Sequence, residues 1–282
     1  MAKPTNIIVP AAMHSSAHYD ALTQAFNSMG YSVLCDRLPS LDPEEGTSPT
    51  VAEDVEHLRR TSVLPELERR RKVIVMGHSY GGCVGPAAAK GLSSSERLAD
   101  GKKGGVVGIV NLSAAIVAGG TSLLSIFPGG KIPAGLVTNV RYTYCNITYP
   151  YCFLKKRSDR HLQKASGTFM VENTKGYYKG VSPAASDEAA SRLRPHALSI
   201  FKTPVPAGAW ADAAFDGRRA YIKTMADEAV GPEAQQAMLA ASGVAWRVLE
   251  LADAGHFPNM THADQVARFV DELAMEWTGV KG

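Results

Sequence analysis

The chain has 282 residues, of which 45% are hydrophobic and 20% are charged, and its formal net charge is +3. This apolar content excludes a chain that is disordered throughout, because such chains cannot form a core. The longest apolar runs are about five residues, far short of the roughly 20 that cross a bilayer, so we expect no membrane-spanning segment. A net charge this small gives no argument for nucleic-acid binding.

The N-terminal segment and the cysteines bear on the compartment of the protein. The segment MAKPTNIIVPAAMHSS contains only a short aliphatic stretch. A secretory signal needs an apolar region of about 7–15 residues, so we expect a cytoplasmic protein with reduced thiols. The four cysteines form no CxxC pair and no Cys/His spacing typical of zinc sites. The sequence therefore predicts neither a metal site nor a membrane partner.

Six short aliphatic runs recur along the chain and have the composition of buried β-strands. Most are rich in β-branched residues and lack the alternation of a half-exposed strand. They cover residues 6–10, 32–36, 73–77, 106–113, 219–224 and 246–252.

Helical patterns separate these runs. Apolar residues follow the i, i+3, i+4, i+7 spacing over residues 22–29, where Gly30 occupies the position of a helix-ending glycine. A similar apolar stripe over residues 266–277 predicts a C-terminal helix. Alternating strands and helices predict the α/β class, with a doubly wound and mostly parallel sheet.

One region breaks this alternation, because about 100 residues between the fourth and fifth runs contain no clear strand. A structureless loop of that length is improbable in a compact domain. We therefore predict a helical cap or lid at residues 119–195, inserted after the fourth predicted strand, and a core formed by residues 1–118 and 196–282. An aromatic stretch inside this cap includes Tyr144, a candidate pocket residue.

The segment Gly77-His78-Ser79-Tyr80-Gly81 fits the G-x-S-x-G pattern, directly after the third run and before a helix-compatible stretch. A strand, a sharp turn and a helix are what a nucleophile elbow requires. The two glycines allow a tight backbone turn without a Cβ clash. The following helix presents free N–H groups and a positive dipole end. Ser79 is therefore the predicted nucleophile.

A serine hydroxyl needs a base and a group that orients the base. In this architecture the chain order is serine, acid, histidine. His256 follows the last predicted strand and is the predicted base. The acid should follow the fifth run, where Asp227 and Glu228 both occur. We favour Asp227 because it is the first acidic residue past the strand, and Glu228 stays open as the alternative.

An oxyanion hole needs two backbone N–H donors, one after the nucleophile and one in the loop after the first strand. Tyr80 supplies the first. Ala12 is the candidate for the second, with Ala11 next. Further candidate pocket residues are Ala11, His14, His18, His78, Phe257 and Tyr144.

Together these residues resemble those of the α/β-hydrolase superfamily. Within it, the chain is similar to the compact subgroup of plant methylesterases and hydroxynitrile lyases and to small hydrolases of fungi and bacteria. The similarity rests on the segments NIIVPAAMHSS, GHSYGG, YIKT ahead of Asp227, and AGH ending at His256, which together extend over nearly the whole chain. The resemblance implies a helical cap over a Ser-His-Asp site that uses no cofactor.

The chain departs from this subgroup at two positions. Hydroxynitrile lyases of this type carry a Thr at the position of Ala11 and a Lys directly after the catalytic histidine, where this chain has Phe257. Both groups that handle the cyanohydrin are missing. The resemblance therefore does not extend to cyanohydrin cleavage.

The sequence predicts a serine hydrolase that cleaves a carboxylic ester or lactone of a small to medium, largely apolar substrate through an acyl-enzyme. The alternative is a cofactor-free lyase, cyclase or C–C bond-cleaving enzyme that uses the His-Asp pair as a general base. A non-catalytic small-molecule receptor is a third possibility. The expected partner is a small-molecule substrate, and a homodimer is left open.

Overall fold

The structure is a computed structural model that describes residues 2–133, 135–138, 167–172 and 174–279. The aromatic stretch that contains Tyr144 lies outside these described residues. The described strands are β1 (Thr5–Val9), β2 (Val33–Leu34), β3 (Lys72–His78), β4 (Gly105–Leu112), β5 (Leu136–Thr138), β6 (Thr168–Val171), β7 (His196–Ala197), β8 (Arg219–Thr224) and β9 (Arg247–Leu251). The described α-helices are α1 (Asp20–Ser28), α2 (Val51–Leu58), α3 (Leu64–Glu68), α4 (Gly81–Ala88), α5 (Ser94–Ala99), α6 (Pro183–Ser191), α7 (Ser199–Lys202), α8 (Pro232–Ala241), α9 (Pro258–Thr261) and α10 (Ala263–Thr278).

Six strands form the main sheet in the order β2-β1-β3-β4-β8-β9, and every neighbouring pair is parallel. Each of the six predicted runs overlaps one of these strands. The predicted α/β class with a doubly wound, mostly parallel sheet is therefore confirmed. The edge strand β9 differs from the expectation of full burial, since within it only Leu251 is buried.

Helices cover both faces of this sheet. Alternate residues of β1 face opposite sides, so that Ile7 and Val9 join one core cluster and Ile8 joins the other. Helices α2 and α4 contribute to the first cluster, and α1 and α10 to the second. This arrangement explains why the strands are continuous apolar runs rather than alternating ones.

The two predicted helical stripes form α1 and α10. Gly30 ends the first with a φ of +83°, a left-handed conformation that glycine adopts at no steric cost. In α10 the stripe from Val266 to Trp277 is buried against the sheet.

The region assigned to the cap contains strands that the sequence did not predict. Strands β5 and β6 lie in this region and form a three-stranded antiparallel sheet with β7, which begins directly after it, and α6 lies between β6 and β7 in the chain. These strands have three, four and two residues. Such short segments carry too few residues for a period-two pattern to be recognised. The division of the chain into core and cap stays a prediction.

Candidate active site

The candidate site begins at the turn between β3 and α4, where Ser79 has a φ of +52°. This left-handed conformation is rare for a non-glycine residue and costs about 1–3 kcal/mol, so the surroundings must hold it in place. A Cβ on Gly81 would lie 2.1 Å from the carbonyl oxygen of Val9, and one on Gly77 would lie 2.5 Å from the carbonyl oxygen of Gly81. The turn therefore requires glycine on both sides of Ser79.

Three side chains that are distant in sequence form one hydrogen-bonded line at the carboxyl edge of the sheet. His256 Nε2 lies 3.0 Å from Ser79 Oγ, and His256 Nδ1 lies 2.8 Å from Asp227 Oδ2. Because a carboxylate only accepts hydrogen bonds, Nδ1 carries the proton and the lone pair of Nε2 faces the serine hydroxyl. Asp227 and His256 are buried, whereas Ser79 is partly exposed. The line thus presents its serine end to solvent.

The neighbouring acidic residues have other partners. Glu228 is exposed and pairs with Lys179 at 2.8 Å. Asp253 contacts His262, with 3.1 Å between Oδ1 and Nε2. Of the carboxylates near the sheet edge, the structure thus places Asp227 against the imidazole of His256.

Asp227 is surrounded by hydrogen-bond donors. The hydroxyls of Ser113 and Thr224 donate to Oδ2, and the N–H groups of Ala229 and Val230 donate to Oδ1 at 2.8 Å each. Burial opposes ionisation here, but the interaction with His256 and these hydrogen bonds hold the pKa of Asp227 well below its ordinary value. The carboxylate is therefore ionised at neutral pH.

A second buried line joins the elbow, the base and the first loop. His78 Nε2 donates to the backbone oxygen of His256 at 2.8 Å, so that Nδ1 is free to accept the hydroxyl of Tyr19 at 2.7 Å. The same hydroxyl oxygen accepts the N–H of Ala11 at 2.8 Å. Because a carbonyl only accepts and an N–H only donates, every proton in this line has one possible direction.

The turn after β1 leaves one backbone donor unpaired. The N–H of Ala11 donates to Tyr19, the oxygen of Ala11 accepts the N–H of His14, and the oxygen of Ala12 accepts His14 Nδ1 at 2.6 Å. Met13, at a φ of +68°, donates its N–H to a histidine ring and accepts an N–H at its oxygen. Within the described part of the chain, the N–H of Ala12 has no acceptor, and neither has the N–H of Tyr80. These two donors are the ones predicted for the oxyanion hole, while Ala11 is already engaged.

The predicted pocket histidines are buried with their ring nitrogens bonded inside the protein. In His14, Nδ1 is hydrogen-bonded to the backbone oxygen of Ala12, and Nε2 is hydrogen-bonded to the hydroxyl of Tyr178. His18 accepts the N–H of Ser15 and contacts the oxygen of Ala189 at 3.0 Å. Burial is the main cause that lowers the pKa of both rings, so both are neutral. They present no free ring nitrogen to a substrate.

Aromatic rings adjoin the base. Phe257 is buried and packs against His14 and His78, with ring centres 4.3 and 4.8 Å away. Tyr177, which the sequence analysis did not single out, meets His256 edge to face at 5.8 Å and stays partly exposed. The imidazole of His256 therefore has aromatic neighbours beside its polar partners Asp227 and Ser79.

Two other residues of the site were also missed. Ser113 ends the fourth predicted run, so its position at the carboxyl edge of the sheet could have marked it as a neighbour of the acid. Tyr19 carries no such signal, because its contact with His78 joins residues 59 positions apart.

Among the described residues, no three His, Cys, Asp or Glu side chains are grouped so as to hold a metal ion. The same residues include no helix with the length and apolar character needed to cross a bilayer.

Comparisons with known proteins agree with this architecture. The curated protein alpha/beta hydrolase nvfD of Aspergillus novofumigatus is 28% identical over 276 residues, which is 98% of each chain. The methylesterase MES16 of Arabidopsis has a similar structure, with a TM-score of 0.61, 17% identity, and coverage of 95% of this chain and 98% of that one. Tomato methylketone synthase I has a TM-score of 0.67, 17% identity, and coverage of 98% and 100%.

The two solved structures share the fold at low identity, and their names alone span more than one activity. The family assignment rests on a sequence match, because the model of the alpha/beta hydrolase family covers residues 7–269, which include Ser79, Asp227 and His256. The chain therefore belongs to the alpha/beta hydrolase family.

Proposed function

We propose that the protein is a serine hydrolase that cleaves a carboxylic ester or lactone through an acyl-enzyme. The observation that carries this proposal is the line from Ser79 through His256 to Asp227, with the unpaired N–H groups of Ala12 and Tyr80 in the adjoining turns. Nucleophile, oriented base and oxyanion donors are the three parts that acyl transfer needs.

Each of these five residues has a defined role in the proposed reaction. Ser79 attacks the acyl carbon while His256 Nε2 takes the serine proton, which it then gives to the leaving alcohol. Asp227 keeps the proton on Nδ1 and stabilises the charged imidazole. Ala12 and Tyr80 donate their backbone N–H groups to the developing oxyanion, and loss of one such donor typically costs about 3 kcal/mol in the barrier. Water repeats the sequence on the acyl-enzyme.

The surroundings of the base favour a small to medium and largely apolar substrate. Phe257 and Tyr177 flank the imidazole of His256, with ring centres 5.3 and 5.8 Å away. Neither ring carries a charge that would recognise an ionised substrate. Phe257 also occupies the position where a lysine would be needed for cyanide, which argues against the lyase chemistry of the related subgroup.

A serine-directed fluorophosphonate tests the nucleophile directly. We expect the wild-type protein to gain one phosphonyl group, located by peptide mapping at Ser79, and to hydrolyse p-nitrophenyl acetate or butyrate. Ser79→Ala should lose both properties. His256→Ala keeps the serine but lacks the base, so its labelling should be slower by about 10²-fold or more.

Three results would contradict this proposal. One is near wild-type ester turnover by Ser79→Ala. Another is an unlabelled wild-type protein that turns over a carbon acid, which would assign His256 and Asp227 to general-base lyase or cyclase chemistry instead. The third is tight binding of a small molecule without turnover, which would indicate a receptor.

A further inference from the structure

A buried carboxylate accepts the hydroxyl of Tyr80 and takes no part in the proposed reaction. Asp54, on α2, is fully buried and accepts the N–H of Ser40 at 2.9 Å on Oδ1. Its Oδ2 accepts the hydroxyl of Tyr80 at 2.6 Å and the hydroxyl of Ser40. Burial raises the pKa of Asp54, while these three hydrogen bonds favour its ionised form.

The same hydroxyl of Ser40 connects this carboxylate to a buried histidine. Ser40 Oγ lies 2.8 Å from Nε2 of His196, and Nδ1 of His196 lies 3.1 Å from the backbone nitrogen of Met13. Since Ser40 donates to Asp54, it accepts from Nε2, which leaves Nδ1 to accept the N–H of Met13. Burial lowers the pKa of His196 to about 3, so the ring is neutral, as this arrangement requires.

The two ends of this network meet the two residues proposed to form the oxyanion hole. One end holds the side chain of Tyr80, whose backbone N–H is the first donor. The other end holds the peptide between Ala12 and Met13, next to the N–H of Ala12, the second donor. The chain Tyr80–Asp54–Ser40–His196–Met13 thus links the elbow to the turn after β1 through hydrogen bonds alone.

We propose that Asp54, Ser40 and His196 are positioning residues that set the distance between the two oxyanion donors. None of them is proposed to touch the substrate. This inference rests on the proposed function, because it assigns the network to an oxyanion hole. Misplacement of catalytic groups by about 1 Å can cost roughly 100-fold in rate, so a network of this kind has a measurable effect.

Tyr80→Phe tests the proposal, because it keeps the backbone N–H and the ring while it removes the hydroxyl bonded to Asp54. Tyr31→Phe is a matched control. Tyr31 is also buried and donates its hydroxyl to an aspartate, Asp271, at 2.5 Å, but it packs in the cluster around α1 and α10 on the other face of the sheet. Both variants lose one hydrogen bond from a tyrosine to a carboxylate.

The readouts are ester kinetics, affinity for an aryl trifluoromethyl ketone, and amide hydrogen exchange in the peptide that contains Ala12 and Met13. The ketone forms a hemiketal with an active serine, and its oxygen then occupies the oxyanion hole. For Tyr80→Phe we expect kcat to fall by about tenfold or more at unchanged KM, ketone affinity to fall by a similar factor, and exchange to accelerate. Tyr31→Phe should change none of the three.

The inference is overturned if the wild type is active and Tyr80→Phe matches Tyr31→Phe in kcat and ketone affinity. An inactive and unlabelled wild type overturns the proposed function, and this inference with it. Should Tyr80→Phe fail to fold, Ser40→Ala breaks the same network between Asp54 and His196, and the same criteria apply to it.

Discussion

Ser113 holds the candidate acid against the candidate base. It follows β4 and has a φ of +44°, a conformation that is rare for a residue with a Cβ. Its hydroxyl donates to Asp227 Oδ2 and lies 3.1 Å from His256 Nδ1. Thr224 donates to the same carboxylate oxygen. The strained backbone at Ser113 thus brings a hydroxyl between two groups whose relative orientation decides where the proton lies.

Removal of this hydroxyl should weaken catalysis as well as stability. A hydrogen bond to a charged group contributes about 1.5–3 kcal/mol, so we expect Ser113→Ala to lower kcat on esters by roughly tenfold with little change in KM. Steady-state kinetics on p-nitrophenyl butyrate measure both constants.

Ser62→Ala is the control for this variant. Ser62 is also buried and donates its hydroxyl to an aspartate, Asp36, outside the candidate site. We expect a comparable loss of unfolding free energy and an unchanged kcat. Equal kcat values for the two variants would show that Ser113 does not hold the acid in place.

For single residues, the sequence predicts which segments contribute to the candidate site better than it predicts which of two adjacent residues does so. The motif and the chain order single out Ser79 and His256, but Asp227 and Glu228 are adjacent in sequence. The structure distinguishes them, because Asp227 is buried against His256 whereas Glu228 is exposed and pairs with Lys179. Ala11 and Ala12 are likewise equivalent in sequence. The structure separates these two because the hydroxyl of Tyr19 already accepts the N–H of Ala11.

Among the elements, two glycines allow close approach at opposite ends of the core. Gly81 opens α4 beneath the elbow, and a Cβ there would meet backbone of the loop after β1. Gly108 lies in β4, and a Cβ there would lie 2.0 Å from the ring of Trp277 on α10. Neither glycine has a positive φ, so the constraint at both positions is space.

Gly81→Ala should lose activity as well as stability, because the new methyl group would displace Val9 and Pro10 from the elbow and shift the turn that carries Ala12. We expect kcat per folded molecule to fall by about 100-fold. Gly108→Ala should lower the unfolding free energy by about 1–3 kcal/mol through overpacking and leave kcat per folded molecule unchanged.

Thermal unfolding and active-site titration with the fluorophosphonate measure these two quantities on the same samples. Equal kcat per titrated site in Gly81→Ala and wild type would remove the link between this glycine and the site geometry.

The strands that could be predicted are those that overlap an apolar run of at least five residues. The central strands β1, β3, β4 and β8 are buried along nearly their whole length, and burial on both faces produces a composition that is easy to recognise. Strands β5 to β7 have two to four residues, and their pairing depends on contacts between residues distant in sequence, as between Phe169 and His196. No local pattern encodes such a pairing.

For the whole molecule, buried neutral histidines should make folding sensitive to acid. Burial lowers the pKa of both His78 and His196 from the ordinary value of 6.5 to about 3. Between these values the unfolded chain binds more protons than the folded one, so the unfolding free energy decreases as the pH falls. Each ring contributes up to about 1.4 kcal/mol per pH unit in this range.

Urea unfolding at several pH values between 7 and 4 measures this slope. We expect the unfolding free energy to fall steadily below about pH 6.5. In His196→Gln, the slope of the unfolding free energy against pH should decrease by the contribution of about one proton. Gly108→Ala, which is destabilised without loss of an ionisable group, should keep the wild-type slope. A pH-independent unfolding free energy across this range would contradict the burial of uncharged histidines.

The line from Ala11 through Tyr19 and His78 to the backbone of His256 has a consequence for how this protein can diverge. Loss of the Tyr19 hydroxyl would leave the N–H of Ala11 and Nδ1 of His78 without hydrogen-bond partners. Loss of the His78 imidazole would leave the Tyr19 hydroxyl without an acceptor and the backbone oxygen of His256 without a donor. A substitution at Tyr19 is therefore tolerated only with a compensating substitution at His78, and the reverse also holds. Positions 19 and 78 should be inherited as a pair and exchanged together, although the proposed chemistry is assigned to Ser79, the neighbour of one of them.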